Sequence, residues 1–253
     1  MQITPLSSIP LIKPGDDLSM ILIHVIQNEE NSLQDGDILV LAQKIVSKSE
    51  NRFVNLSQVI PGKRAIEYAE LTDKDPRFIE LVLQESSSVL RTRPGTIIVE
   101  HKLGFVCANA GIDHSNVEGN WGNADDWVLL LPEKPDESAE NIRNALESFF
   151  HVRVGVVIID SHGRAWRNGT VGVCIGISGI PGLVDLRGKE DLFGFKLKIT
   201  QVGAADELAA AASLVMGQAA ERIPAVIVRG FPYELREGSL SELIRPKDLD
   251  LFR

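Results

Sequence analysis

Hydrophobic residues fall into short blocks along the chain, separated by turn-forming residues, and the blocks alternate between strand and helix periods. After Pro14-Gly15, Asp16 and Asp17 open a segment with Leu18, Ile21, Leu22, Val25 and Ile26 on one side, the spacing of an amphipathic helix. Gly36-Asp37 marks a turn. Ile38–Ala42 is an unbroken apolar run of strand length that leads into Gln43 through Glu50. Residues 63–86 predict helices interrupted at Asp73 to Pro76 and ending in a charged and polar surface stretch. Two strands, 96–100 and 104–109, are predicted around a turn at His101-Lys102-Leu103. Residues 118–126, rich in Gly, Asn and Asp, read as a loop, 127–131 as a short strand and 137–150 as an amphipathic helix.

Further on, residues 154–159 predict a buried strand that stops at Asp160-Ser161-His162-Gly163-Arg164. Residues 169–180 are apolar with glycines at 172, 176 and 179, the mark of a strand approached closely by backbone or ligand. Residues 204–216 predict a largely buried helix, and Pro224 opens a last core strand at 225–228. Strands and helices mix without regular β-α-β alternation, so the expected class is α+β, with residues 1–253 forming one unit. The chain contains no internal repeat and no low-complexity linker.

Of 253 residues, 44% are hydrophobic, enough for a sizeable core. The net charge of −9 and the absence of a basic region argue against a nucleic-acid partner. An anion-binding site on so acidic a chain must concentrate lysines, arginines or metal ions locally. Cys107 and Cys174 lie far apart, match no zinc spacing and read as buried free thiols of a reducing compartment. The first residues lack the pattern of a signal peptide, and no apolar run is long enough to span a bilayer. A cytoplasmic location with no membrane partner is expected.

The sequence contains no G-x-x-x-x-G-K-[ST], no G-x-G-x-x-G after a strand and no G-x-S-x-G. What remains is a set of polar residues where apolar strands end. Asp160 follows Val156-Val157-Ile158-Ile159, and Asp113 follows the run from Phe105 to Ile112. A carboxylate at the end of a buried strand is either a hard-metal ligand or an ordinary turn residue bonded to nearby backbone. Arg164 and Arg167 are either phosphate or carboxylate binders or surface arginines. His114 and His162, each beside a candidate ligand, are either general bases or solvated loop histidines. Lys48 is either a phosphate contact or surface charge. The stretch from Met216 to Pro224 reads as a helix end, with Gly217 as its cap.

Together these segments resemble the coenzyme F420-0:L-glutamate ligase family. The resemblance rests on Leu11-Ile12-Lys13-Pro14-Gly15-Asp16-Asp17-Leu18, on Gly36-Asp37 through Glu50, on Asn109-Ala110-Gly111-Ile112-Asp113-His114-Ser115-Asn116-Val117, on Leu129-Leu130-Leu131-Pro132, on Asp160-Ser161-His162-Gly163-Arg164, on Gly176-Ile177-Ser178-Gly179 and on Met216 through Gly230. These run in family order over nearly the whole chain. N-A-G-I-D-x-S-N followed by D-[ST]-x-G-R is specific as a pair, though neither suffices alone.

The resemblance implies two interlocked subdomains, a homodimer, and GTP as a substrate. It also implies two Mg²⁺ or Mn²⁺ ions, with K⁺ as a further candidate. By position it makes Asp113 and Asp160 ligands of a first ion, and Ser161 and Gln218 ligands of a second. Nucleotide contacts fall on Ile9, Pro10, Leu11 and Ile12, on Gln43, Lys44 and Lys48, on Asn116, and on Met216, Gly217, Gln218, Ala219, Ala220, Glu221, Arg222 and Ile223. Asp160 and Arg164 become the catalytic candidates. The chain departs from archaeal members at Gln218, where they carry Glu, and at Gln43-Lys44, where they carry small hydroxyl residues.

The implied reaction joins L-glutamate to the phospholactyl carboxylate of F420-0 through an acyl phosphate, then γ-links further glutamate. A free carboxylate does not acylate an amine at a useful rate, which is why a phosphoryl donor is needed. A metal-dependent phosphohydrolase using the same Asp pair, and a non-catalytic nucleotide- or deazaflavin-binding protein, are the alternatives.

Overall fold

The structure is a computed structural model that describes residues 1–29, 32–115, 117 and 123–251. The chain begins with β1 (Gln2–Pro5) and α1 (Leu18–Asn28), whose cap Asp17 accepts from Met20 N at 3.1 Å. The apolar run at Ile38–Ala42 is β2, and it passes without a break into α2 (Gln43–Ser49). After β3 (Phe53–Asn55) come α3 (Lys63–Thr72) and α4 (Pro76–Gln84). They are separated where expected: Asp73 takes the left-handed conformation, Asp75 caps α4 and Pro76 occupies its first turn.

Then follow β4 (Ser86–Arg93), β5 (Thr96–His101), β6 (Val106–Ala108), β7 (Trp127–Leu129) and α5 (Pro135–Phe150). The chain closes with β8 (Gly155–Arg164), β9 (Arg167–Ser178), β10 (Val184–Asp185), β11 (Gln201–Val202), α6 (Ala204–Met216) and β12 (Ala225–Arg229).

The main sheet has the order β1-β12-β2-β8-β9; β2 and β8 run parallel and the other pairs are antiparallel. Both faces of its centre are covered, which is why β2 and β8 read as continuous apolar runs. Leu39, Leu41, Val156 and Ile158 pack under α1 and α5 on one face, while Ile38, Val40, Val157 and Ile159 pack under α6 on the other. Two β9 glycines admit helices closely. A Cβ on Gly172 would stand 2.6 Å from Ala209 O in α6, and one on Gly176 would stand 2.6 Å from Pro135 Cβ in α5. A third core joins α3, α4, β5 and β7 through Ala65, Ala69, Ile79, Val82, Ile97, Val99 and Val128.

The α+β class is therefore observed, with two departures. β8 does not stop at Asp160 but continues to Arg164 as a ribbon with β9, Asp160 pairing with Val173 and Arg164 with Arg167. Residues 86–93, where the sequence suggested no strand, form β4, an edge strand rich in polar side chains. Both cysteines are buried and free, as expected. Among the described residues, no helix is long and apolar enough to cross a membrane.

Candidate active site

β2 and β8 are parallel neighbours, so their carboxyl ends emerge side by side, with Ala42 opposite Ile159. Gln43 and Asp160 are the next residues on each. The amino end of the antiparallel β12 reaches the same edge, where Ala42 N donates to Pro224 O at 2.8 Å. Ligands of open sheets collect outside the carboxyl ends of parallel strands. Here that edge opens into a cavity of about 720 Å³.

The cavity brings together segments far apart in sequence. Ile9 to Ile12 form one wall, Gln43, Lys44 and Lys48 another, and Met216 to Ile223 a third, with Asp160 and Ser161 on the floor between them. Every nucleotide contact implied by the family resemblance lines this cavity except Asn116, which lies outside the described residues. Ala42, Ile45, Val117, Ile159, Ser213 and Pro224 also line it without having been singled out; each adjoins or lies one helical turn from a residue that was.

Asp113 arrives from the other side. Asn109, Ala110 and Gly111 all have positive φ, and a Cβ on Gly111 would stand 2.7 Å from Leu131 Cδ1, so this bend requires glycine. Beyond it, Asp113 exchanges two 2.9 Å backbone hydrogen bonds with Leu129. Its carboxylate accepts from Gln43 Nε2 at 2.6 Å and lies 3.3 Å from Lys44 Nζ. Lys44 is steadied by Ser115, donating to its Oγ at 3.1 Å. Burial pushes the Asp113 carboxyl up to about 6; Lys44 opposes the rise and the Asp160 charge adds to it. A buried carboxylate whose charge a second carboxylate disfavours gains from a nearby cation.

On β8, Ser161 Oγ donates to Gln218 Oε1 at 2.7 Å, so the two residues assigned to the second ion touch each other. Asp160 Oδ2 lies 3.0 Å from His162 Nε2, but at an angle that makes no hydrogen bond. His162 is buried beneath Phe105, whose ring stacks in turn on the buried His101. Burial lowers His101 to about 4, and the neighbouring His162 adds to that. His101 was read only as a turn residue, because a buried stack has no signature in local sequence. The exposed His114 lies against the buried Phe78, ring centroids 6.3 Å apart.

Arg164 is not brought to the cavity. It lies at the exposed tip of the β8–β9 ribbon, four residues beyond Asp160 or ~13 Å along a strand. There its Nη2 donates to Asn168 O at 3.4 Å.

The donors at the site are hard oxygens: two carboxylates, a hydroxyl and an amide carbonyl. Among the described residues, no cluster of three or more His, Cys, Asp or Glu side chains is placed to hold a metal. The oxygen set suits Mg²⁺ or Mn²⁺, which take few protein ligands and complete their shells with water and phosphate oxygens.

The profile of the F420-0:Gamma-glutamyl ligase family matches residues 7–230. The chain is 45% identical over 246 residues to the coenzyme F420:L-glutamate ligase of Methanothermobacter thermautotrophicus, covering 96% of this chain and 95% of that one. It is 43% identical to the protein of the same name from Methanocaldococcus jannaschii, covering 97% and 94%. It is 44% identical to that of Methanopyrus kandleri, covering 100% and 98%. A family match over most of the chain, with near-complete alignment to these relatives, shows that the chain belongs to the F420-0:gamma-glutamyl ligase family.

Proposed function

We propose that this protein is a GTP-dependent ligase that forms an amide between L-glutamate and the phospholactyl carboxylate of F420-0 and then γ-links further glutamate. The observation that carries the reading is the cavity that gathers the 9–12 segment, Lys44, Lys48, Asp160, Ser161 and the 216–223 segment, with Asp113 held against its Gln43 and Lys44 wall. Relatives named for glutamate ligation to F420 supply the acceptor and the amino acid.

In this reading Ile9 to Ile12 and Met216 to Ile223 flank the nucleotide, and Lys44 and Lys48 neutralise its phosphates. Asp113 and Asp160 would hold one divalent ion, and Ser161 with Gln218 a second. Bound there, the ions supply positive charge to the phosphoryl oxygens. The F420-0 carboxylate oxygen attacks the γ-phosphorus; the bond to the β,γ-bridging oxygen breaks and GDP leaves. The amine of glutamate then attacks the acyl carbon, the carbon–oxygen bond to phosphate breaks, and the amine proton is lost. The cavity walls hold the reacting groups together and exclude water from the acyl phosphate.

A homodimer in the cytoplasm is part of the proposal. Trp166 on the ribbon is 88% exposed, and Leu192 and Phe193 beyond β10 are 96% and 94% exposed, apolar surface that suits a second copy. Since Arg164 lies off its own cavity, a catalytic role for it requires the cavity of the partner subunit.

Phosphate release measured with and without L-glutamate tests the reaction. Release that depends on glutamate and F420-0 together supports the ligase. Equal release without glutamate would identify a phosphohydrolase.

A further inference from the structure

His162 has no task in the reaction proposed above, yet it sits beside Asp160 in a way that packing alone does not explain. Alternation along β8 puts the two side chains on one face of the strand, while Ser161 between them turns to the other face, where its Oγ meets Gln218. His162 is 9% exposed, and among the described residues its Nε2 has no hydrogen-bond partner. Asp160 Oδ2 stands 3.0 Å from that nitrogen, a hydrogen-bond distance at which only the angle is unsuitable.

A buried imidazole nitrogen that carries a proton needs an acceptor. Asp160 can supply one, because the last torsion of an aspartate is broad and a modest turn of the carboxyl brings Oδ2 into line. The imidazole is the partner that stays in place. Phe105, from the turn between β5 and β6, lies against it with ring centroids 5.2 Å apart, and stacks in turn on His101 at 5.1 Å and 9°. His101 is buried, and its Nδ1 accepts from Leu103 N at 3.0 Å. If His162 served only to pack on Phe105, a phenylalanine would fill the place without burying a nitrogen beside a carboxylate.

We propose that His162 is a positioning residue for Asp160: its Nε2–H donates to Oδ2 and leaves Oδ1 as the oxygen presented to the cavity. The inference rests on the reading of Asp160 as a ligand of a divalent ion. In that reading the imidazole fixes the orientation of the ligand and leaves the negative charge on the carboxylate. Losing such a partner lowers ion affinity about 10- to 100-fold. The proposal also requires the Nε2–H tautomer, since a neutral imidazole carries one proton.

The test is calorimetric binding of Mn²⁺, without nucleotide, to the full chain and to its His162→Phe, His162→Gln and Asp160→Asn variants. Thermal unfolding serves as the control for folding. His162→Phe keeps a ring against Phe105 and loses the donor, so it should bind Mn²⁺ at least about tenfold more weakly than the parent. His162→Gln loses the ring and keeps an N–H at similar reach, so it should retain most of the affinity; a packing role predicts the reverse order. Parent-like affinity in His162→Phe, with affinity lost in Asp160→Asn, overturns the proposal alone, as does a His162→Gln variant as weak as His162→Phe. Parent-like affinity in Asp160→Asn removes the ligand reading and the proposal with it. Nitrogen NMR of the isotopically labelled parent, which depends on no variant's folding, should show His162 as the Nε2–H tautomer; the Nδ1–H tautomer would overturn the proposal as well.

Discussion

Gln43 and Asp113, 70 residues apart in the chain, meet side chain to side chain, with Gln43 Nε2 donating to Asp113 Oδ2 at 2.6 Å. The amide's orientation is set by the carboxylate, which can only accept when ionised, and Ser47 Oγ then donates to Gln43 Oε1 at 2.8 Å. α2 therefore presents one neutral donor and, from Lys44, one cation to a carboxylate whose pKa is raised to about 6.

That carboxylate gives the first prediction. A divalent cation competes with protons for Asp113, so Mn²⁺ affinity should rise as pH increases through about 6. Gln43→Leu removes the donor that favours the charged form, and should move this rise to higher pH. Calorimetry at several pH values checks it; a midpoint that stays in place would show that Gln43 does not tune Asp113. The stability linkage has the opposite sense. A raised carboxyl pKa contributes stability below the unfolded value near 3.8, lost as pH rises through about 6.

His101 should dominate acid sensitivity. Its pKa falls from 6.5 to about 4 on folding, so its contribution is present above pH 6.5 and lost as pH drops through about 4. The shift corresponds to about 3 kcal/mol. His101→Gln should lower stability at neutral pH by about 1–3 kcal/mol, through lost stacking on Phe105. It should also flatten the decline between pH 6.5 and 4. Urea unfolding across that range measures both effects, and an unchanged slope would assign the acid sensitivity elsewhere.

The main sheet was legible because its central strands are buried on both faces: Ile38–Ala42 appears with the bounds its apolar run gives, as does the helix Ala204–Met216 that covers one face. β4 was not, because Ser86–Arg93 is an edge strand with polar side chains, and polarity reads as surface. The continuation of β8 past Asp160 was hidden by the turn-like composition of residues 160–164, which pairing with β9 overrides. At the site, the segments lining the cavity could be named from resemblance. The Gln43–Asp113 bond and the Ser161–Gln218 bond could not, since each depends on distance in space.

Lys48 lines the cavity from the last turn of α2. Lys48→Met keeps much of the stem and removes the charge. Loss of one charge-assisted hydrogen bond costs about 1.5–3 kcal/mol, so KM for GTP should rise roughly tenfold or more. Unchanged KM and kcat would return Lys48 to the surface lysines.

Arg164 supplies a test of the proposed dimer. Asp160→Asn and Arg164→Ala homodimers should each be inactive. Mixing them after dissociation should restore activity, because half of each mixed dimer pairs an intact Asp160 with an intact Arg164 from the other subunit. No recovery on mixing would mean that Arg164 does not act across subunits.

The central claim is amide formation, and its most direct measurement is mass spectrometry of F420-0 incubated with the protein, GTP, L-glutamate and Mn²⁺ or Mg²⁺. The expected product is F420-0 heavier by one or more glutamyl residues, with GDP and phosphate formed one for one with each amide. Phosphate released without any glutamylated product, or GTP bound and left intact, would contradict the claim.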